Sequence, residues 1–395
     1  MAGPSLLGIV NPDLLKWARV ACALEVDVAA KKIGVKPDRL EAWERGELAP
    51  TISQLRTLAD VYKRSVSFFF LNERPAAAKK PVDFRRFELS AAQHTTPELE
   101  NAIRAAQAKR EAVLDILAEA DEEPPKFNLW FDANLDPERA AAHLVQQLGI
   151  TMQDRDDWSD QYAALRAWKM AAEAHGVLVM QVSRISLDEM RGCSLAMFPM
   201  PVVLLNGSDS VLGRVFTLLH ELTHLARHES GLCDVVEEGD RPKNAQQVEV
   251  FCNHVAGAAL VPKDALLHHP LVLGANRRSE WDDEQLVTLR SEFWASHEVI
   301  LRRLLIAGVT SQAFYQRKRD EFLKKYKQLR EKDESGGFVP FPRKVVLGNG
   351  RLLTSLVLDA YESRAITGSE LSRVLGTKLD HLPAIISEVR GRNAA

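Results

Sequence analysis

Arg214-Val-Phe-Thr-Leu-Leu-His-Glu-Leu-Thr-His224 carries the densest chemistry in the chain. His220 and His224 are four apart, so on a helix both imidazoles leave the same face and can grip one zinc ion, while Glu221 points toward a water that the metal activates. The apolar run Val215, Phe216, Leu218 and Leu219 buries one side of that helix, which predicts that it lies beneath a sheet.

Working outward, residues 177–182 and 193–205 are apolar and rich in β-branched side chains, the clearest strand candidates. Asn206-Gly-Ser-Asp209 is a turn that leads into a helix over 211–227. A polar loop to about residue 244 precedes a further helix over 246–260, which stops at Pro262. A catalytic zinc site needs a third protein ligand and an open fourth position. Glu249, 25 residues beyond His224, is the best candidate. Asp234, Glu237, Glu238 and His254 are its rivals. Asn253 sits one turn past Glu249, where it could hold a ligand imidazole. The donor set suits zinc, and it also accepts manganese or iron.

Residues 1–75 show apolar positions at helical spacing, punctuated by Gly34, Pro37, Gly46 and Pro50-Thr51, which predicts four or five short helices. Pro75 to Pro81 is Ala, Lys and Pro, a linker. An Ala-rich helix over 98–120 is stopped by Glu122-Glu-Pro-Pro-Lys126 and makes a helical spacer or dimer seam. Beyond the metal region, helices are expected over 282–307 and 311–331, then a break at Glu334-Ser-Gly-Gly, then a last small helical unit. No internal repeat is evident.

With 395 residues, several domains are expected. A hydrophobic fraction of 46% beside 27% charged residues excludes a disordered or fibrous chain. The net charge of -3 gives no global attraction to nucleic acid or an anionic membrane, so any such contact is local. Four scattered cysteines without a C-x-x-C pair argue against a zinc ribbon or disulfide framework and for reduced, buried thiols. No signal peptide or bilayer-length apolar run is evident, so a cytoplasmic location and no membrane partner are expected.

Several separated motifs together resemble the ImmA/IrrE metallopeptidases: residues 214–224, Glu249-Val-Phe-Cys-Asn253 with Leu260-Val-Pro262, Arg191-Gly192, and Pro201-Val-Val-Leu-Leu-Asn206. The similarity runs over about residues 135–325 and includes the helical segment Phe293–Leu304. It implies a gluzincin-like site with His220, His224 and Glu249 as ligands and Glu221 as general base. It further implies a narrow-specificity protease that cleaves a protein such as a repressor. The strand at 202–206 would be the edge on which substrate lies. Cys252 stands where a small Ala is usual. His254, His228 and Arg214 are the candidates for stabilising the oxyanion.

Residues 14–71 resemble the Cro and lambda-repressor type of XRE helix-turn-helix, on Ala30-Lys-Lys-Ile-Gly-Val35, Leu40-Glu-Ala-Trp-Glu-Arg-Gly46, Pro50-Thr51 and Leu58-Ala59. The resemblance implies double-stranded DNA as a partner. Lys36, Asp38, Arg39 and Ala42 would face bases, and Lys31 and Lys32 would meet phosphate. Val26 replaces a frequent Gln, and 11 basic against 9 acidic residues over 1–75 leave a field of only +2. Pro81-Val-Asp-Phe-Arg-Arg86 recurs in proteins of this layout and is read as a packing clamp.

The expected architecture is α+β, mainly α: a helix-turn-helix domain (1–75), a linker and spacer (76–134), a zincin-like core with a small β-sheet (135–270), a helical extension (271–333) and a small C-terminal helical unit (334–395). A regulatory zinc endopeptidase with a DNA-binding head follows. The alternative is an antitoxin-like regulator that neutralises a cognate toxin, such as a PIN-like nuclease, with the zinc fold as a docking surface. A homodimer stays open.

Overall fold

The computed structural model describes residues 10–22, 24–62, 66–71, 96–132, 134–229, 241–276, 279–332 and 339–391. The linker at 75–81, the segment 81–86, Asp234, Glu237, Glu238, the side chain of His228 and the break at 334–337 lie outside the described residues. The architecture is α+β and mainly α, with one three-stranded sheet among the described residues. The chain forms two compact units.

The first unit contains α1 (Pro12–Ala21), α2 (Val26–Ile33), α3 (Pro37–Glu44) and α4 (Ile52–Val61). Punctuation sets their ends. Gly34 closes α2 in the left-handed region that its missing Cβ permits (φ 80°), Pro37 opens α3, and Thr51 with Gln54 forms a capping box on α4. Leu14, Leu15, Ala18, Ile33, Leu40, Trp43, Leu55 and Leu58 make its core. A buried ion pair joins α1 to α3: Arg19 donates from Nε to Glu44 Oε1 at 2.7 Å and from Nη2 to Oε2 at 2.9 Å. The division between the units falls inside α5 (Pro97–Glu119), at Ala105 and Ala106.

The second unit begins with α6 (Pro137–Leu148), α7 (Met152–Asp156) and α8 (Gln161–Ala174). Its sheet has β1 (Leu178–Val182), β2 (Gly192–Leu195) and β3 (Val202–Asn206) in the order β1-β3-β2. β3 runs parallel to β1, with Leu178 opposite Val202, and antiparallel to β2, with Gly192 opposite Leu205. The strand at 202–206 is therefore central and not the expected edge. All five of its residues are buried, as suits a strand paired on both sides. The antiparallel edge is β2.

α9 (Val211–Glu229) carries the two histidines and packs on β2 and β3, and α10 (Arg241–Leu260) packs on α9 and α6. Gly192 permits the first contact, because a Cβ there would overlap the Thr217 methyl of α9 and come within 3.0 Å of Leu204 O. Then follow α11 (Lys263–Leu267), α12 (Asp283–Glu292), α13 (His297–Ile306) and α14 (Gln312–Lys332). The single helix expected over 282–307 is thus two. Trp294 turns to φ 50° and donates its indole N–H to Arg155 O, and Ser296 caps the N-terminus of α13.

α15 (Phe341–Asn349), α16 (Arg351–Glu362), α17 (Gly368–Leu375) and α18 (Leu382–Arg390) complete the described chain. α15 and α16 pack against β1. Glu173 of α8 accepts from the N–H groups of Arg351 and Leu352, at 2.8 and 3.3 Å, and so caps α16 from a distant part of the sequence. No helix among the described residues is long and apolar enough to cross a membrane.

Candidate metal centre

Helical spacing stacks His220 and His224 on one side of α9, and packing buries them to 0% and 4% exposure. Their Nε2 atoms lie 3.0 Å apart. Glu249 enters from α10, with Oε2 3.3 Å from His220 Nε2 and Oε1 3.3 Å from His224 Nε2. Ligand atoms held 2.0–2.1 Å from a tetrahedral zinc lie roughly 3.3 Å apart, so this triangle has the right size for one face of a zinc site. Among the described residues it is the one His, Cys, Asp and Glu group of that kind.

Its electrostatics agree. Burial works against the charge of Glu249, yet hydrogen bonds to the two imidazoles outweigh it and hold the carboxyl well below the usual range. Burial likewise opposes a charged His224, but the Cys252 thiol and Glu249 lift it well above 6.5. Three electron-pair donors converge, two of them buried and Glu249 one-third exposed, and protons or a cation must sit between them. A His2Glu donor set of this size fits zinc.

Glu221 is 1% exposed, and Ser194 of β2 donates its hydroxyl to Glu221 Oε2 at 2.8 Å. Sequence reasoning missed Ser194. Its signal was a hydroxyl between Cys193 and Leu195 in an otherwise apolar run. It also missed Cys252, the neighbour of His224, in favour of Asn253, which lies half-buried on α10 one turn past Glu249. Burial pushes the Cys193 and Cys252 thiols upward in pKa, and no disulfide occurs among the described residues, as expected for reduced buried cysteines.

The other candidates are engaged elsewhere. His254 is not near the triangle's donors: its Nε2 pairs with Glu138 Oε1 at 2.9 Å, and Arg303 donates to both oxygens of the same carboxylate at 2.6 and 2.9 Å. Arg214 reaches Gln181 Oε1 at 3.2 Å.

In the first unit Lys31, Lys32, Lys36, Asp38 and Arg39 are exposed. Ala42 differs from the expectation: at 7% exposure it is buried and presents little surface to a base. The acidic character of α3 is also weaker than its composition, because Glu44 is buried on Arg19 and Glu41 pairs with Arg45.

A helical α+β unit in which two buried histidines and a partly exposed glutamate converge beside a hydrogen-bonded carboxylate has the layout of a metallopeptidase-like domain. Residues 172–305 match the family model described as IrrE N-terminal-like domain, and residues 15–69 match the model described as helix-turn-helix. The chain joins an XRE-type helix-turn-helix to an ImmA/IrrE-like peptidase domain, and is a DNA-binding regulator of that composition. No curated protein and no solved structure matches it.

Proposed function

We propose that the protein is a cytoplasmic, zinc-dependent regulatory endopeptidase that cleaves one specific protein, such as a repressor, and controls transcription through its head. The convergence of His220, His224 and Glu249 at 3.0 to 3.3 Å beside Glu221 carries this reading. Those three residues would hold the zinc, with manganese or iron as alternatives. Bound there, the ion supplies Lewis acidity toward a peptide carbonyl and water. Glu221 takes the proton of the attacking water and returns it to the leaving amine. Ser194 holds Oε2 of that carboxylate and so sets its orientation. Asn253 supports the ligand shell. A substrate strand that adds to the sheet meets β2, since β3 is paired on both sides and α15 packs on β1.

In the same reading residues 1–75 address DNA through Lys31, Lys32, Lys36, Asp38 and Arg39, residues 135–270 form the catalytic core and 271–333 extend it; of the expected spacer, Phe127, Leu129 and Phe131 instead join the core, and the C-terminal helices pack on that same unit and not by themselves. The test is a zinc-loaded digestion of a peptide library by the wild type and by Glu221→Gln, read by mass spectrometry. Cleavages made by the wild type alone support the protease. Identical peptide sets for both proteins sink it and favour an antitoxin-like docking role.

A further inference from the structure

The last helices of the chain repeat the local geometry of the head. In the head the eight-residue α2 ends on Gly34, left-handed at φ 80°, and α3 starts three residues later. At the other end the eight-residue α17 ends on Gly376, left-handed at φ 65°, and a helical turn (Leu379–His381) starts three residues later and runs into α18. The offset of 342 positions between Gly34 and Gly376 also brings Lys36 onto Lys378, Asp38 onto Asp380 and Leu40 onto Leu382. Burial agrees at three apolar pairs, with Ala29, Ile33 and Trp43 falling on the equally buried Leu371, Leu375 and Ile385, and differs where buried Ala42 falls on exposed Ala384. The sequence hid this repeat because the shared apolar positions differ in residue type.

The resemblance extends to the preceding helix. α1 is tied to α3 by Arg19 and Glu44, and α16 is tied to α18 by Arg390, which donates to Asp359 Oδ1 and Glu362 Oε1 at 2.8 Å each. We propose that residues 351–391 form a second helix-turn-helix module and that its ligand is duplex DNA. This goes beyond the regulatory protease and needs no zinc.

The exposed surface suits that ligand. Lys378 stands just before the third helical element and Arg373 lies in the last turn of α17, both exposed and placed for phosphates. Ala384 and Ser387 are exposed on α18, and their short side chains let its backbone approach a groove. Residues 351–391 hold five basic and five acidic side chains, so the attraction to phosphate is local, through Arg373 and Lys378, and gains from Arg343 and Lys344 just before the module.

Fluorescence anisotropy of the full chain with a labelled mixed-sequence duplex of about 30 base pairs, over a salt series, tests the assignment. A head variant (Lys31→Ala, Lys32→Ala, Lys36→Ala) is expected to keep residual, salt-dependent binding that Arg373→Ala with Lys378→Ala then removes. In the wild-type background the second pair should lower the salt slope by about two. Asp380→Asn should tighten binding severalfold, as a carboxylate leaves the phosphate-facing surface. The proposal is overturned if the head variant binds no duplex, or if the Arg373 and Lys378 substitutions leave affinity and slope unchanged. All these side chains are exposed, so circular dichroism should report the wild-type fold. Loss of the protease reading would leave these outcomes unaffected.

Discussion

Two clusters on α10 use the same residue types and come to opposite ends. Around Glu138 one carboxylate meets one imidazole, His254, and the guanidinium of Arg303, whose Nε also donates to Val261 O at 2.8 Å. The protein supplies its own cation there, in bidentate geometry, and the cluster is closed. Around Glu249 the carboxylate meets two imidazoles and, among the described residues, no Lys or Arg ion pair. The same residue types thus make a structural clamp where an arginine joins them and leave a donor set that could hold a metal where none of the described residues does.

The strongest way to break this contrast is through Glu221, which touches only the open cluster's chemistry. Glu221→Gln should lower peptide turnover by about 10²–10⁴-fold while zinc content, read by elemental analysis, stays at wild-type level. Next, Glu249→Ala should weaken zinc about 10²–10³-fold in a chelator competition, one ligand's share of a binding free energy of about 10–16 kcal/mol. The matching change in the closed cluster, Glu138→Ala, should leave zinc stoichiometry intact and instead cost about 2 kcal/mol in a denaturant titration. It strands the buried Arg303, and the partial exposure of Glu138 keeps the cost below that of a fully buried pair.

Acidity separates the clusters further. Because the pKa of His224 is raised, zinc must displace a proton from it at pH values above the ordinary histidine range, while the depressed Glu249 stays charged. As the pH is lowered, zinc affinity should therefore begin to fall while still above pH 6.5 and drop about tenfold per pH unit for each proton that zinc must displace, as measured by competition across a pH series. The smallest expected effect is Ser194→Ala, about fivefold in kcat with KM unchanged, in line with one hydrogen bond of about 1 kcal/mol to the base. A change in KM of the same size would place Ser194 on the substrate instead.

Much of this molecule is written in short stretches of chain. The histidine pair, the base between them, the caps at Gly34, Pro37 and Thr51, and the apolar face of α9 all follow from spacings within one or two helical turns. Such features depend on neighbours along the backbone, and neighbours are visible in a sequence. Glu249 is the best third-ligand candidate in the sequence, but spacing alone leaves Asp234, Glu237, Glu238 and His254 as rivals. The alternation of apolar residues predicted strands without saying which would be central.

The remaining features needed faces from distant segments to be buried together. That packing placed β3 between β1 and β2, turned Ala42 inward, brought Ser194 to Glu221 across 27 positions, and closed Glu138 with an arginine 165 positions away. Local periodicity says which side of an element is apolar. It carries no information about which other apolar side will cover it, and that pairing determines which charges meet and which await an ion.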